Sequence, residues 1–116
     1  MSEHLYPSAT LKTNKQRASL APEIHDAFQE FSQKVFADGA LDKKTKQLIA
    51  VAVAHVTQCG YCIRGHTKAA VREGTAPNEI MEAIWVASEM RAGGAYAHSI
   101  VALDTINDIE KKSIKD

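Results

Sequence analysis

The residues of this chain with the plainest capacity for chemistry are Cys59, Cys62 and His66, in the run Cys59-Gly60-Tyr61-Cys62-Ile63-Arg64-Gly65-His66. Two cysteines with two residues between them fit within one turn, so their sulfurs can pass between dithiol and disulfide with little backbone movement. A helix that begins inside the motif points free N–H groups and the positive end of its dipole at a sulfur, which favours the reactive thiolate. His66 follows Cys62 by four residues. One helical turn then puts imidazole and sulfur on the same face, with a side chain that moves protons near neutral pH. His55 precedes Cys59 by four and reads either as a further proton relay or as a satisfied core histidine. Tyr61 flanks the pair, His98 could approach from the last helix, and His4 and His25 have no chemical context. Two other uses of the same residues stay open: cysteines that only pack, and a zinc site on Cys59, Cys62 and His66 completed by His55, His98 or another subunit.

Helices must position these groups. From Pro22, a residue suited to a first turn, Ile24, Ala27, Phe28, Phe31 and Val35 recur at three- and four-residue steps. That spacing predicts an amphipathic helix ending near Gly39. Asp42 reads as the N-cap of a second helix, in which Leu48, Ile49, Val51, Val53 and Val56 are apolar almost all round, so this helix is expected to be central and buried. Thr57 to Cys62 are mediocre helix formers in succession, and a third helix is expected to start there and stop at Gly74. Thr75 to Glu79 open a fourth, continued by Ile80, Ile84, Val86, Ala87 and Met90. Gly93-Gly94 is read as punctuation before a last helix from Ala95 to Ile109. No segment alternates like a strand. The fold class is therefore all-α, a single-domain helical bundle of about five to six helices.

Residues 1–20 are polar without apolar period and are expected to form a flexible N-terminal arm, leaving 21–116 as the helical domain. A chain of 116 residues has little surface with which to cover a helix apolar on nearly every side, and the small residues Ala92, Gly93, Gly94, Ala95 and Ala97 allow close helix approach. A homo-oligomer is predicted.

Composition narrows the partners. Hydrophobic residues at 45% and charged residues at 24% fit an ordinary globular protein and not a disordered one. Fourteen basic and fourteen acidic residues cancel, which argues against nucleic acid and anionic membrane surfaces as partners. No run approaches the roughly 18 apolar residues of a membrane span, and residues 1–20 lack the apolar stretch of a signal peptide, so a cytoplasmic location is expected. Only two cysteines, three apart, make redox chemistry or metal binding a better reading than a secreted disulfide scaffold. There is no glycine-rich phosphate loop, and Ile63 stands where a haem-attachment motif has histidine, so no cofactor is implied.

The run Leu41 to Ala54, then Cys59-x-x-Cys62-x-x-x-His66, Gly74, Glu79-Ile80, Ala83 and Gly93-Gly94 resembles the carboxymuconolactone decarboxylase superfamily, in its alkylhydroperoxidase D-like branch, over roughly residues 22–108. The decarboxylase branch lacks the cysteine pair. The resemblance implies an all-helical fold around an antiparallel helical hairpin, assembly as a homotrimer or homohexamer, and dithiol-dependent reduction of peroxides or of a peroxiredoxin partner. It gives Cys59 and Cys62 the role of redox pair and His66 that of proton transfer. Members of the branch carry a glutamate twelve residues before the first cysteine, at the far end of a proton relay; here that position is Gln47, and Tyr61 stands where some members have another histidine. A neutral amide orients an imidazole but holds its cation less well than a carboxylate. Losing about 1.5 to 3 kcal/mol of charge-assisted hydrogen bonding corresponds to roughly a tenfold to hundredfold slower rate. Glu30, Glu79 and Glu82 are the candidates for a replacement carboxylate.

Together these readings give a thiol-dependent peroxidase or disulfide oxidoreductase with a peroxide or disulfide as substrate and a thiol reductant or peroxiredoxin as partner. Its residues are Cys59, Cys62 and His66, with Gln47 and His55 as candidates for the relay. The alternatives are a non-catalytic redox sensor or structural member of the fold, and a lactone enzyme of the decarboxylase type.

Overall fold

The structure, a computed structural model, describes residues 6–115. Among these residues the chain is all-α, with α1 at Leu11–Leu20, α2 at Pro22–Phe36, α3 at Lys43–Thr57, α4 at Gly60–Arg72 and α5 at Pro77–Lys115. The start of each central helix is set by a short-range polar contact. The Asp42 carboxylate accepts the Thr45 N–H at 2.8 Å and caps α3. Pro77 opens α5, where the Glu79 carboxylate reaches back to accept the Ala76 N–H at 2.9 Å. Stops are equally local: α3 ends on Gln58 in the left-handed region (φ 59°), and Gly74 takes φ 87° after α4, a conformation that favours glycine.

A connection this short folds α4 back along α3 as a helical hairpin, and the first part of α5 packs across it. Val51 of α3, Ala70 of α4 and Ile80 of α5 form the buried centre, with Leu48 and Ile84 packed against it. A Lys44–Glu79 ion pair at 3.0 Å joins the starts of α3 and α5. The end of α2 is pinned to α3 by Lys46 Nζ, which donates to the Ala37 carbonyl at 2.6 Å, and by the Lys43 N–H, which donates to Asp38 Oδ1 at 2.9 Å.

Four expectations change. Residues Leu11–Leu20, read as part of a loose arm over 1–20, are helical, and Thr10 caps them by accepting the Thr13 N–H at 3.1 Å; none of them is buried, so no apolar period marks them. Residues 1–5, with His4, lie outside the described residues. The helix α2 stops at Phe36, short of Gly39. Gly93-Gly94 does not divide the last helix: α5 runs unbroken for 39 residues, because two glycines costing roughly 1 kcal/mol each in a helix interior are flanked by strong helix formers such as Met90, Arg91, Ala92 and Ala95. Finally, α3 buries only Val51 and Ala54, while Ile49, Val53 and Val56 remain open.

Much apolar surface is therefore bare in the single chain. Ile24, Phe28, Phe31 and Val35 line an uncovered face of α2, and Tyr96, Ile100, Val101, Leu103, Ile106 and Ile109 are exposed along the far part of α5. That part projects from the body and stretches the molecule to 67 Å in its longest direction.

Candidate active site

The site grows from the turn between α3 and α4. With Gln58 left-handed, the Cys59 N–H donates to the Ala54 carbonyl at 3.1 Å, which brings Cys59 into the N-cap position of α4. Its Sγ accepts the Cys62 N–H at 3.2 Å. The two sulfurs are joined as a disulfide, with Cα atoms 5.2 Å apart, inside the span such a bridge requires. Both cysteines are half-buried, so an incoming molecule can meet them.

One turn along α4, His66 is also half-buried. Its Nδ1 lies 2.8 Å from Gln47 Oε1 of α3. As placed, the imidazole Nδ1–H donates to the amide oxygen, leaving Nε2 as the nitrogen able to take or give a proton. Gln47 thus stands where the resemblance puts the relay glutamate, nineteen residues from the ring it touches.

Two cavities meet this pair. One of about 380 Å³ lies between α2 and α3 and is lined by Val35, Ile49, Ala50, Val53 and Ala54 together with Cys62 and His66. The other, of about 540 Å³, is more polar and includes Ser32, Gln33, Gln47, Tyr61, Cys62 and His66. Cys62 and His66 belong to both. Phe36 does too, and its ring stacks on the imidazole with centroids 5.0 Å apart and planes at 28°. No spacing from the cysteines or His66 points to Phe36. The available signal was a large aromatic side chain in the last turn of α2, off the stripe made by Ile24, Phe28, Phe31 and Val35.

The remaining candidates are placed elsewhere. His55 Nδ1–H donates to the Val51 carbonyl of its own helix at 2.7 Å, and the ring lines neither cavity, which is the geometry of a satisfied helix histidine. His98 likewise bonds the Gly94 carbonyl at 2.9 Å, and His25 faces Asp26 at 3.2 Å. Glu30 pairs with Lys34, and Glu79 with Lys44. The Ala76 N–H, and then Lys44, hold the Glu79 carboxyl below its ordinary 4.5. Glu82 lines neither cavity, so none of the three takes the place of the relay carboxylate there. Tyr61 lines the second cavity, and its hydroxyl donates to the Pro7 carbonyl at 2.6 Å while its ring meets Tyr6 at 6.4 Å. Among the described residues no three histidine, cysteine or carboxylate side chains gather as a metal site, and no helix is long and apolar enough to cross a membrane.

The model of the carboxymuconolactone decarboxylase family matches residues 22–105, from the first turn of α2 well into α5. The chain belongs to the carboxymuconolactone decarboxylase family. A Paracoccus denitrificans relative, uncharacterized protein 4 in the cox locus, is 67% identical over 87 residues, which is 75% of this chain and 78% of that one. A carboxymuconolactone decarboxylase family protein from Legionella pneumophila has a crystal structure that superposes with a TM-score of 0.67 at 32% identity, covering 84% of this chain and 87% of that one. A further member from Thermotoga maritima, for which a part in an antioxidative response has been suggested, superposes with a TM-score of 0.55 at 24% identity over 83% of this chain and 95% of that one. The family match covers the whole hairpin, so the cysteines, His66 and Gln47 all sit on its common helical frame.

Proposed function

We propose that this member of the carboxymuconolactone decarboxylase family is a thiol-dependent peroxidase or disulfide oxidoreductase of the alkylhydroperoxidase D-like kind, with Cys59, Cys62 and His66 as its reacting groups. The observation that carries the reading is the bonded, half-buried cysteine pair at a helix start, with a histidine one turn away and two open cavities in front of it. The suggested antioxidative role of the Thermotoga relative points in the same direction.

In the reduced protein, Cys62 is the attacking sulfur, since it borders both cavities together with His66. His66 Nε2 first takes the Cys62 thiol proton; the thiolate bonds the outer oxygen of a hydroperoxide as the O–O bond breaks, giving a sulfenic acid on Cys62 and an alkoxide that takes that proton back from the His66 imidazolium. The Cys59 thiol, at the N-cap of α4, then attacks the sulfenic sulfur; the S–O bond breaks, water leaves and the disulfide is formed. Two thiols and one hydroperoxide yield one disulfide, one alcohol and one water, and an external dithiol returns the pair to its starting state. With a protein disulfide as substrate, the same thiolate exchanges sulfur for sulfur. The apolar walls of the 380 Å³ cavity suit an organic hydroperoxide.

The test is hydroperoxide consumption with a dithiol reductant by the wild type, Cys59→Ser and Cys62→Ser. Both variants are expected to lose turnover, and equal rates in all three would overturn the proposal. The bare apolar faces of α2 and far α5 support a homo-oligomer, a trimer or hexamer, as the working form. Sedimentation should then show no dominant 12.7 kDa species.

A further inference from the structure

We infer that Phe36 is a positioning residue for His66: its ring face fixes the plane of the imidazole, so that Nδ1–H stays on Gln47 and Nε2 stays turned to the cavities. The inference rests on the dithiol reading of the site.

A hydrogen bond to Gln47 cannot do this alone. A carboxylate only accepts, and so commits the imidazole to its Nδ1–H form. An amide offers an acceptor oxygen and a donor nitrogen, and by rotating it can meet either tautomer of the ring. With glutamine at position 47, an imidazole turned over to present its other edge could also be bonded, so which edge faces Gln47 depends on what else constrains the ring. Phe36 supplies that constraint on the face of the ring: it is half-buried, its centroid is 5.0 Å from that of His66, and the two planes are within 28° of parallel. A flat neighbour at this distance leaves an imidazole little room to sweep out of plane, which it must do to exchange its two edges.

The stack is itself braced. Immediately after Phe36, the Ala37 carbonyl accepts from Lys46 Nζ at 2.6 Å and Asp38 Oδ1 accepts the Lys43 N–H at 2.9 Å. Both donors belong to the first turn of the helix that carries Gln47. The two partners of His66, an aromatic face from α2 and an amide from α3, are thus tied to each other across the ring they hold. Phe36 also borders both cavities and stands with Cys62 and His66 at the point they share.

The experiment compares the wild type with Phe36→Met, which keeps an apolar side chain without a ring face, and Phe36→Tyr, which keeps the face. The oxidised full-length proteins are first read by imidazole nitrogen–proton correlation. The wild type and Phe36→Tyr should show one set of His66 imidazole resonances, and Phe36→Met should show exchange between two ring orientations. A Phe36→Met protein that keeps the single wild-type pattern overturns the inference. Reduced proteins are then mixed with cumene hydroperoxide and the loss of thiols is followed in a single turnover. Oxidation is expected to slow about tenfold in Phe36→Met and to stay within about twofold of wild type in Phe36→Tyr; equal slowing in both overturns a role for the ring face. A His66→Ala control that oxidises like wild type removes the proton-transfer role of His66 instead, and the imidazole spectra then decide the role of Phe36 by themselves.

Discussion

His55 and His66 sit on opposite sides of the cysteine pair, one turn before Cys59 and one turn after Cys62, and both use Nδ1 in a hydrogen bond. Their partners differ. His55 donates to the Val51 carbonyl one turn back in its own helix, a bond that exists wherever that helix exists. His66 meets a side chain from another helix on one edge and an aromatic face from a third on its flat side. The first arrangement settles a polar group in a half-buried helix and asks for nothing further. The second arises only when three helices are assembled, and its histidine lines both cavities together with Cys62. Equal spacing from a cysteine therefore says little about function; the partner of the other ring nitrogen says much more.

Four measurements would break or sharpen this contrast. The largest difference is expected between His66→Ala and His55→Ala. Single-turnover oxidation of the reduced pair should slow about a hundredfold when the proton carrier is lost and stay within about twofold when His55 is replaced; similar slowing in both would erase the distinction. Gln47→Glu comes next, and should accelerate hydroperoxide reduction roughly tenfold, because a carboxylate supports the imidazolium formed during turnover; an unchanged rate would show that the contact only orients the ring. On stability the order reverses. Denaturant unfolding should find His55→Ala less stable by about 1 kcal/mol, the net worth of one hydrogen bond.

The smallest effect concerns the cap of the helix that carries both Gln47 and His55. The Thr45 N–H, then its hydroxyl, hold the Asp42 carboxyl below its ordinary 3.8 in the folded chain. A carboxyl lowered on folding adds stability that is complete above the unfolded value and is lost as the pH falls through the folded one. Melting temperatures of the wild type and Asp42→Asn should therefore differ at pH 7 and converge as the pH falls below about 3.8. A constant gap across that range would assign the difference to something other than the ionised cap.

What could be read in the sequence was whatever depends on a few adjacent residues. Asp42 before Thr45, Gly74 after α4, Pro77 with Glu79, and the four-residue step from Cys62 to His66 are all short-range patterns, and each appears in the structure as written. The contact of His66 with Gln47 spans nineteen residues and was visible only through the resemblance. Phe36 is thirty residues from His66, and no local spacing links the two. The exposed helix α1 buries nothing and so carries no amphipathic signal. At Gly93-Gly94 the strong helix propensity of the neighbours outweighs the low propensity of two residues, which a local pattern does not show. Bare faces on α2 and α3 follow from the same limit, because one chain's sequence does not say which of its apolar stripes meet within that chain.

The unbroken passage of α5 through Gly93-Gly94 has a mechanical consequence. A hinge there would let the distal segment find its own orientation, whereas a continuous rod transmits every change of phase. Inserting a single alanine between those glycines should swing the Tyr96 to Ile109 stripe by about 100° around the axis and push it about 1.5 Å outward, while four alanines should bring it nearly back into phase about 6 Å farther out.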